Sequence, residues 1–308
     1  MIGGLDIGGT KIAAGIVDSS GKLHAFAECA TEPERGFTSS LDRIAKMLLT
    51  TSEHAGGRLE GIGIGCTGPV DPQTGVIGNN SFLPTWEGRS LTDALTNRTD
   101  IPTAIENDAD AAALGESIWG TGQGINKFIY ITVSTGIGGG LVFDGRLYRG
   151  VDGSHPEVGH HVIDPSGPQC FCGARGCWES LASGPALARW FKEHYPESLN
   201  GNNEPDARAI CEAAPQGDPR AREAAAREGY YLGLGFANLV TLFTPDVIAL
   251  GGGVMRSWPL FSDRVGEVIR TTCGLVPYEK VHLVPAALGA DVGILGAACV
   301  WLHHMKET

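Results

Sequence analysis

No stretch of this sequence reaches the roughly 18 consecutive apolar residues that a membrane-spanning helix needs, so such a span is not expected. Basic residues are scarce too: 23 Lys and Arg stand against 35 Asp and Glu, a net charge of −12. A dedicated DNA or RNA binder usually shows a basic face, so nucleic acid is not an expected partner. That charge does not exclude phosphate ligands, because Mg²⁺ and backbone N–H groups can hold them. Met1 to Lys11 lacks a basic stretch followed by an apolar core, so no secretory leader is expected. A disulfide framework is missing as well. The eight cysteines, at 29, 66, 170, 172, 177, 211, 273 and 299, are mostly isolated among apolar neighbours, and only three cluster. Reduced thiols, a metal site at the cluster and a cytoplasmic location are the expectation.

What is abundant is glycine, 45 of 308 residues, about twice the usual share. With 17 prolines the two together stay below the level of low-complexity chains, and no G-X-Y period exists. Collagen and disorder are excluded, and 42% apolar with 19% charged residues describes a soluble globular protein. The glycines must be explained by where they sit. The length suits two domains or one large α/β unit.

The chain opens as strand 2–7, turn Gly8-Gly9-Thr10, strand 11–17, turn 18–21 and strand 23–30. Apolar residues at helical spacing mark a helix over 37–52. Strands follow at 59–66 and 103–105, then an alanine-rich helix over 107–119. The opening pattern recurs as strand 127–133, glycine turn 134–140, strand 141–144, hairpin turn Asp144-Gly145 and strand 147–148. Helices are expected over 180–194, 219–243, 255–271 and 289–303, with strands at 247–250 and 281–284. Two halves in the same order predict a duplicated α/β fold with a ligand cleft between them. A boundary is expected near 118–126, at Gly120, Gly122 and Gly124.

Three strand-end glycine clusters can cradle phosphate or nucleotide. They are Gly8-Gly9-Thr10-Lys11 after Asp6, Ser134-Thr135-Gly136 through Gly140, and Gly251-Gly252-Gly253 before a helix start. Each alone also reads as a plain turn. The first is neither a Walker A loop nor a dinucleotide fingerprint. Glu106-Asn107-Asp108 lies at a strand's carboxyl end, where open α/β sheets bind ligands. Asp108 can take a proton from a hydroxyl while Asn107 binds its neighbour, although both are equally ordinary helix caps. His160 with Cys170, Cys172 and Cys177 makes a closed four-coordinate zinc set, bracing a loop instead of doing chemistry. His155 and His161 are lower-ranked substitutes for the histidine. Glu157 and Glu179 flank this loop, and read either as a pair facing one pocket or as two solvated carboxylates.

Taken together, Asp6–Lys11, Cys66-Thr67-Gly68-Pro69-Val70, Glu106–Ala109, Ser134–Gly140, Glu157-Val158-Gly159-His160, Cys170–Glu179 and Gly251–Val254 resemble the ROK family of sugar kinases and repressors, within the actin-like ATPase superfamily. They run in family order over essentially the whole chain, which looks like a ROK hexokinase. The resemblance implies two RNase H-like domains, 1–118 completed by the C-terminal helix 289–306, and a larger 119–288 with the zinc loop. It implies ATP phosphates near Gly8, Gly9, Thr10, Lys11, Thr135 and Gly136, and adenosine near Gly251, Gly252 and Gly253. Asp6 would lie near Mg²⁺, and Asp108 would be the general base, acting as cap and base at once. Gly68, Asn107, Glu157, His160 and Glu179 would hold the sugar, His160 ligating zinc through its other ring nitrogen. A homodimer is implied as well.

Glucose is the lead substrate, and glycolysis the setting, because Asn79-Asn80 and Trp86-Glu87-Gly88 look like the sugar-side loop of ROK glucokinases. Runs similar to His155-Pro156-Glu157 occur in ROK fructokinases, which puts fructose in play, and N-acetylmannosamine and N-acetylglucosamine kinases share every catalytic residue named above. A sugar-responsive regulator would place a winged helix before Gly8, and none is expected in the few residues ahead of it here. A non-catalytic sugar-binding module and polyphosphate as donor are the remaining alternatives.

Overall fold

In a computed structural model the protein is an α/β protein built on two mixed five-stranded sheets, and residues 1–196 and 204–307 are described. The chain forms two compact units. Unit 1 comprises Met1–Asn126, Gly140–Pro156 and the segment from Ala286 onward; unit 2 comprises Lys127–Gly139 and Glu157–Pro285.

The sheet of unit 1 runs in the order β3-β2-β1-β4-β5, from β1 (Ile2–Ile7), β2 (Lys11–Val17), β3 (Leu23–Ala30), β4 (Gly61–Cys66) and β5 (Thr103–Asn107). β1, β4 and β5 are parallel, with Asp6 level with Gly65 and Gly65 level with Glu106. Strands covered on both faces read as continuous apolar runs, and β4 is buried throughout. β3, on the edge, alternates exposure residue by residue. Helix α1 (Phe37–Ala55) lays Phe37, Leu41, Ile44 and Leu48 on one face of this sheet. Helix α9 (Val292–Glu307) covers the other, and here glycine is decisive. A Cβ on Gly63 would stand 1.8 Å from Ala297 O, and one on Gly4 would stand 2.4 Å from Ile294 O. Backbone therefore touches backbone. Helix α3 (Asp108–Trp119) crosses α9 where Gly115 meets Gly296. Buried Glu116 on α3 accepts N–H groups from Thr121, Ala287 and Leu288, tying the entry of α9 to α3.

The other sheet follows the order β10-β9-β6-β7-β8, from β6 (Lys127–Val133), β7 (Ile137–Phe143), β8 (Arg146–Leu147), β9 (Val247–Gly251) and β10 (His282–Pro285). β6, β9 and β10 are parallel. In unit 2 they are accompanied by α4 (Trp178–Ala182), α5 (Gly184–His194), α6 (Ala207–Ala213), α7 (Pro219–Phe243) and α8 (Trp258–Thr272), around a core that includes Trp178, Phe236 and Phe261. Among the described residues no helix is long and apolar enough to cross a membrane.

Several boundaries differ from the sequence reading. The glycine run 134–140 is a turn only to Gly136; Ile137 begins β7, and its glycines serve close packing. A Cβ on Gly139 would lie 2.6 Å from Tyr130 O, and one on Gly140 would lie 2.5 Å from Ala113 Cβ. The helix expected over 180–194 breaks at Ser183, whose Oγ caps α5 through Ala186 N–H. The helix after Gly253 starts only at Trp258, a 3₁₀ turn intervening, so no α-helical N-terminus adjoins that glycine cluster. Helix α2 (Leu91–Thr99) buries only Leu91 and Leu95, and the short α6 only Ile210 and Cys211, too few to set a helical period in the sequence.

Gly63→Ala should destabilise the protein by about 3 kcal/mol, the scale of overpacking against backbone that cannot yield. Gly266→Ala, on α8 with nothing within 4 Å of the added methyl, should stabilise it by roughly 0.5–1 kcal/mol. Urea denaturation of both variants checks this contrast; equal shifts of the same sign would contradict it.

Candidate functional site

Parallel pairing sends the carboxyl ends of β1, β4 and β5 to one edge of the unit 1 sheet, where ligands of open α/β sheets bind. Three loops leave that edge. After β1, Gly8 N–H donates to Lys11 O at 2.9 Å and closes the turn. Lys11 Nζ pairs with Glu28 Oε2 at 2.9 Å, so its cation lies on the hairpin. After β4, Thr67 N–H donates to Ile7 O at 2.9 Å, and Gly68 adopts φ +86°. A Cβ there would stand 2.2 Å from Asn80 Nδ2, so only glycine fits. Asn80, buried, donates to Thr67 O at 2.7 Å and accepts from Phe82 N–H at 2.9 Å. This carries the exposed Phe82 ring onto Gly9.

After β5 the cap of α3 is Asn107 and not Asp108. Asn107 Oδ1 accepts from Ala109 N–H at 2.8 Å, and its Nδ2 donates to Gly68 O at 3.3 Å. Asp108, the first helical residue, is left partly exposed with Oδ1 accepting from Ala109 N–H at 2.9 Å. Of the reading of Asp108 as cap and base at once, the cap is corrected: it belongs to Asn107. Asp6 lies near enough to Asp108 to feel its charge. Burial first and the Asp108 carboxylate second push Asp6 up to about 6, while Lys11 opposes them. Two carboxylates in one partly desolvated place form a natural cation seat. The first turn of α9 closes over Asp6: a Cβ on Gly293 would stand 2.2 Å from Asp6 Oδ2.

Sequence reasoning missed two partners in unit 1. Buried Glu106 pairs with Arg149, and buried Asp110 Oδ2 pairs with His155 Nδ1 at 2.8 Å. Neither pair has a local spacing to reveal it. His155 is not among the residues whose ligand atoms gather at the cysteine cluster.

In unit 2 the ends of β6 and β9 meet. Gly252, at φ +89°, packs on the Val133 carbonyl, and Gly184 N–H at the start of α5 donates to Ser134 O at 2.8 Å. Thr135 is exposed beside Gly136, where an added Cβ would lie 2.4 Å from Glu179 Oε2. Glu179 reaches two neighbours: Oε2 accepts from Ile137 N–H at 2.8 Å, and Oε1 lies 4.0 Å from His160 Nε2. Glu157 is exposed just before the 3₁₀ turn Val158–His160.

His160, Cys170, Cys172 and Cys177 bring four ligand atoms within 4.8 Å of one another. His160 Nδ1 lies 3.5 Å from Cys170 Sγ, and Cys172 Sγ lies 3.5 Å from Cys177 Sγ. Tetrahedral zinc, with Zn–S of about 2.3 Å, places sulfur pairs roughly 3.8 Å apart, so the donor set fits that ion. His161 is not among the gathered residues; its Nδ1 bonds Val158 O at 2.5 Å and its ring packs on Trp178.

Comparison with known proteins agrees with this geometry. The ROK family model matches residues 2–304. A glucokinase of Thermotoga maritima is 36% identical over 96% of this chain and 96% of its own length. A ROK hexokinase from Thermus thermophilus superposes with TM-score 0.86 at 36% identity, covering 100% of this chain and 99% of that one. A ROK family glucokinase from Streptomyces griseus, solved with glucose and AMPPNP, gives TM-score 0.80 at 36% identity, with 96% and 97% coverage.

With its pKa raised above the usual carboxylate value of 3.8, Asp6 supports folding below about pH 4, and that support is lost as pH rises through about 6. In Mg²⁺-free buffer, Asp6→Asn should therefore be more stable than the parent protein at pH 8, by roughly 2 kcal/mol, and nearly equal at pH 4. Urea midpoints at both pH values measure it, and no gain at pH 8 would refute the assignment.

Proposed function

The chain belongs to the ROK family, and we propose that it is an ATP-dependent hexokinase that phosphorylates the 6-hydroxyl of glucose. The observation that carries this reading is the acid pair Asp6 and Asp108 on one sheet edge beside the Gly8-Gly9 turn, in a chain 36% identical to a glucokinase solved with glucose and AMPPNP.

Asp108 takes the proton from the sugar O6 as that oxygen attacks the γ-phosphorus of ATP. The new O–P bond forms as the bond to the β–γ bridging oxygen breaks, and ADP leaves. The Ala109 N–H bond fixes the orientation of the Asp108 carboxylate before substrate arrives. Gly68, Asn107, Glu157, His160 and Glu179 hold the remaining sugar hydroxyls. Gly8, Gly9, Thr10, Thr135 and Gly136 receive the phosphates, and Gly251, Gly252 and Gly253 the adenosine. Lys11 joins them by leaving Glu28, and giving up so exposed a pair costs little. Asp6, beside Asp108, would hold the Mg²⁺ that accompanies ATP, and that ion would supply charge neutralisation at the transferring phosphoryl group. His160 with Cys170, Cys172 and Cys177 would hold a structural zinc, with His160 Nδ1 facing the cysteines and Nε2 left beside Glu179 for the sugar. All eight cysteines are free thiols, which suits a cytoplasmic enzyme.

A coupled ATP assay over glucose, fructose, mannose, N-acetylmannosamine and N-acetylglucosamine tests the substrate. Glucose should give the highest kcat/KM. A higher value for fructose or an N-acetylhexosamine reassigns the sugar, and no turnover with any of them removes the kinase reading. Asp108→Asn should fold and bind glucose yet lose on the order of 10²–10⁴-fold in kcat, the range for a general base. Zinc removal by chelation should lower the melting temperature and raise the glucose KM together; an enzyme indifferent to chelation and free of zinc would contradict the metal assignment.

A further inference from the structure

Helix α7 turns two rows of residues toward two different neighbours. Gly229 and Gly233 face α8, where added Cβ atoms would stand 3.0 Å from Arg264 Cβ and 2.7 Å from Val268 Cβ. Arg227, Tyr231 and Gly235 are spaced four apart, so they form one stripe, and this stripe meets the segment 164–181. Arg227 Nη1 donates to Leu181 O at 3.0 Å, and its guanidinium lies 4.6 Å from the Tyr231 ring centroid. Tyr231 Oη donates to Asp164 Oδ2 at 3.4 Å. The Asp164 carbonyl in turn abuts Gly176, where an added Cβ would lie 1.5 Å from it.

Gly235 makes the closest of these contacts. A Cβ there would stand 2.0 Å from Trp178 Cε2 and 2.4 Å from its Nε1, so the indole lies against bare helix backbone. Trp178 is fully buried, edge-on to Phe236 at 5.1 Å, and its indole N–H has no acceptor among the described residues. Shape alone sets the ring. In the chain Trp178 stands between Cys177 of the metal cluster and Glu179, and its backbone N–H donates to His161 O at 3.0 Å.

We propose that the Arg227–Tyr231–Gly235 stripe is a positioning surface for the hexose site. The seat at Gly235 sets Trp178, and Trp178 sets Glu179, the residue that follows it. This rests on Glu179 holding the sugar, as argued above. None of the three stripe residues is a sugar ligand. A methyl group at 235 displaces a rigid ring, and the ring takes with it the backbone that aims Glu179 at His160 and at Ile137 N–H.

Gly235→Ala, Tyr231→Phe, Gly235→Ala with Trp178→Phe, and Glu179→Gln are compared by glucose KM, ATP KM, bound zinc and melting temperature. Gly235→Ala should raise the glucose KM about tenfold, more than the ATP KM, with bound zinc unchanged, because small misplacements of binding groups are costly. The smaller ring of the double variant should recover part of that loss, which simple destabilisation would not allow. Tyr231→Phe should raise the glucose KM about two- to threefold, the loss expected for one long hydrogen bond. A folded, zinc-loaded Gly235→Ala enzyme with the parent glucose KM overturns the proposal, as does a rise that only follows zinc loss. If Gly235→Ala does not fold, an unchanged glucose KM in Tyr231→Phe overturns it. Glu179→Gln separates the two layers: an unimpaired variant refutes the sugar role of Glu179, whereas impairment there with a normal Gly235→Ala refutes only the stripe.

Discussion

A helix usually rests on a sheet at the distance its side chains allow, and in unit 1 that spacing has been removed. Gly4 and Gly63 let α9 lie with its backbone against β1 and β4, and Gly115 with Gly296 lets α3 cross α9 equally closely. The consequences reach the chemistry. Gly293, on the first turn of α9, abuts the Asp6 carboxylate, and α3 begins with Asp108. Both acids are therefore placed by elements whose separation is set by backbone contact, which is far less compliant than contact through flexible side chains.

The same closeness shapes the electrostatics. Asp6 is held partly out of water and beside a second carboxylate, an arrangement that weakens the apoprotein near neutral pH and prepares a seat for a cation. Glu228 on α7 is a second such case: it is fully buried with no hydrogen-bond partner among the described residues, and burial pushes its carboxyl up to about 8 against the opposing charge of Arg227, 3.9 Å away. The protein accepts these costs within an otherwise apolar interior. In unit 2 the close-contact device recurs with an aromatic ring in place of a helix, where Gly235 receives Trp178.

Much of this was legible in the residues. The strands 2–7, 11–17, 23–30 and 127–133 emerge where apolar and turn residues alternate, since such signals act over a few positions. The four zinc-ligand candidates and the Glu106-Asn107-Asp108 triplet were also readable, being local in sequence. The glycines of β7 misled for a physical reason: a run of glycines has the same composition whether it turns or whether it lets a strand pack on Ala113 and Asp110. Helix α2 escaped because Leu91 and Leu95 alone carry its buried face.

The sequence by itself determined the fold class, the order of strand and helix, the family and the residue types available for phosphoryl transfer. These follow from short-range periodicity and from motifs a few residues long. Only the tertiary structure decided which cap belongs to Asn107, that Lys11 rests on Glu28, that His155 answers Asp110, and which glycines of α7 serve α8 and which serve Trp178. Apart from the Asn107 cap, which is local and turns on the exact helix start, those are contacts between residues well apart in the chain, fixed by how elements pack, and no local pattern encodes a partner that arrives from another element.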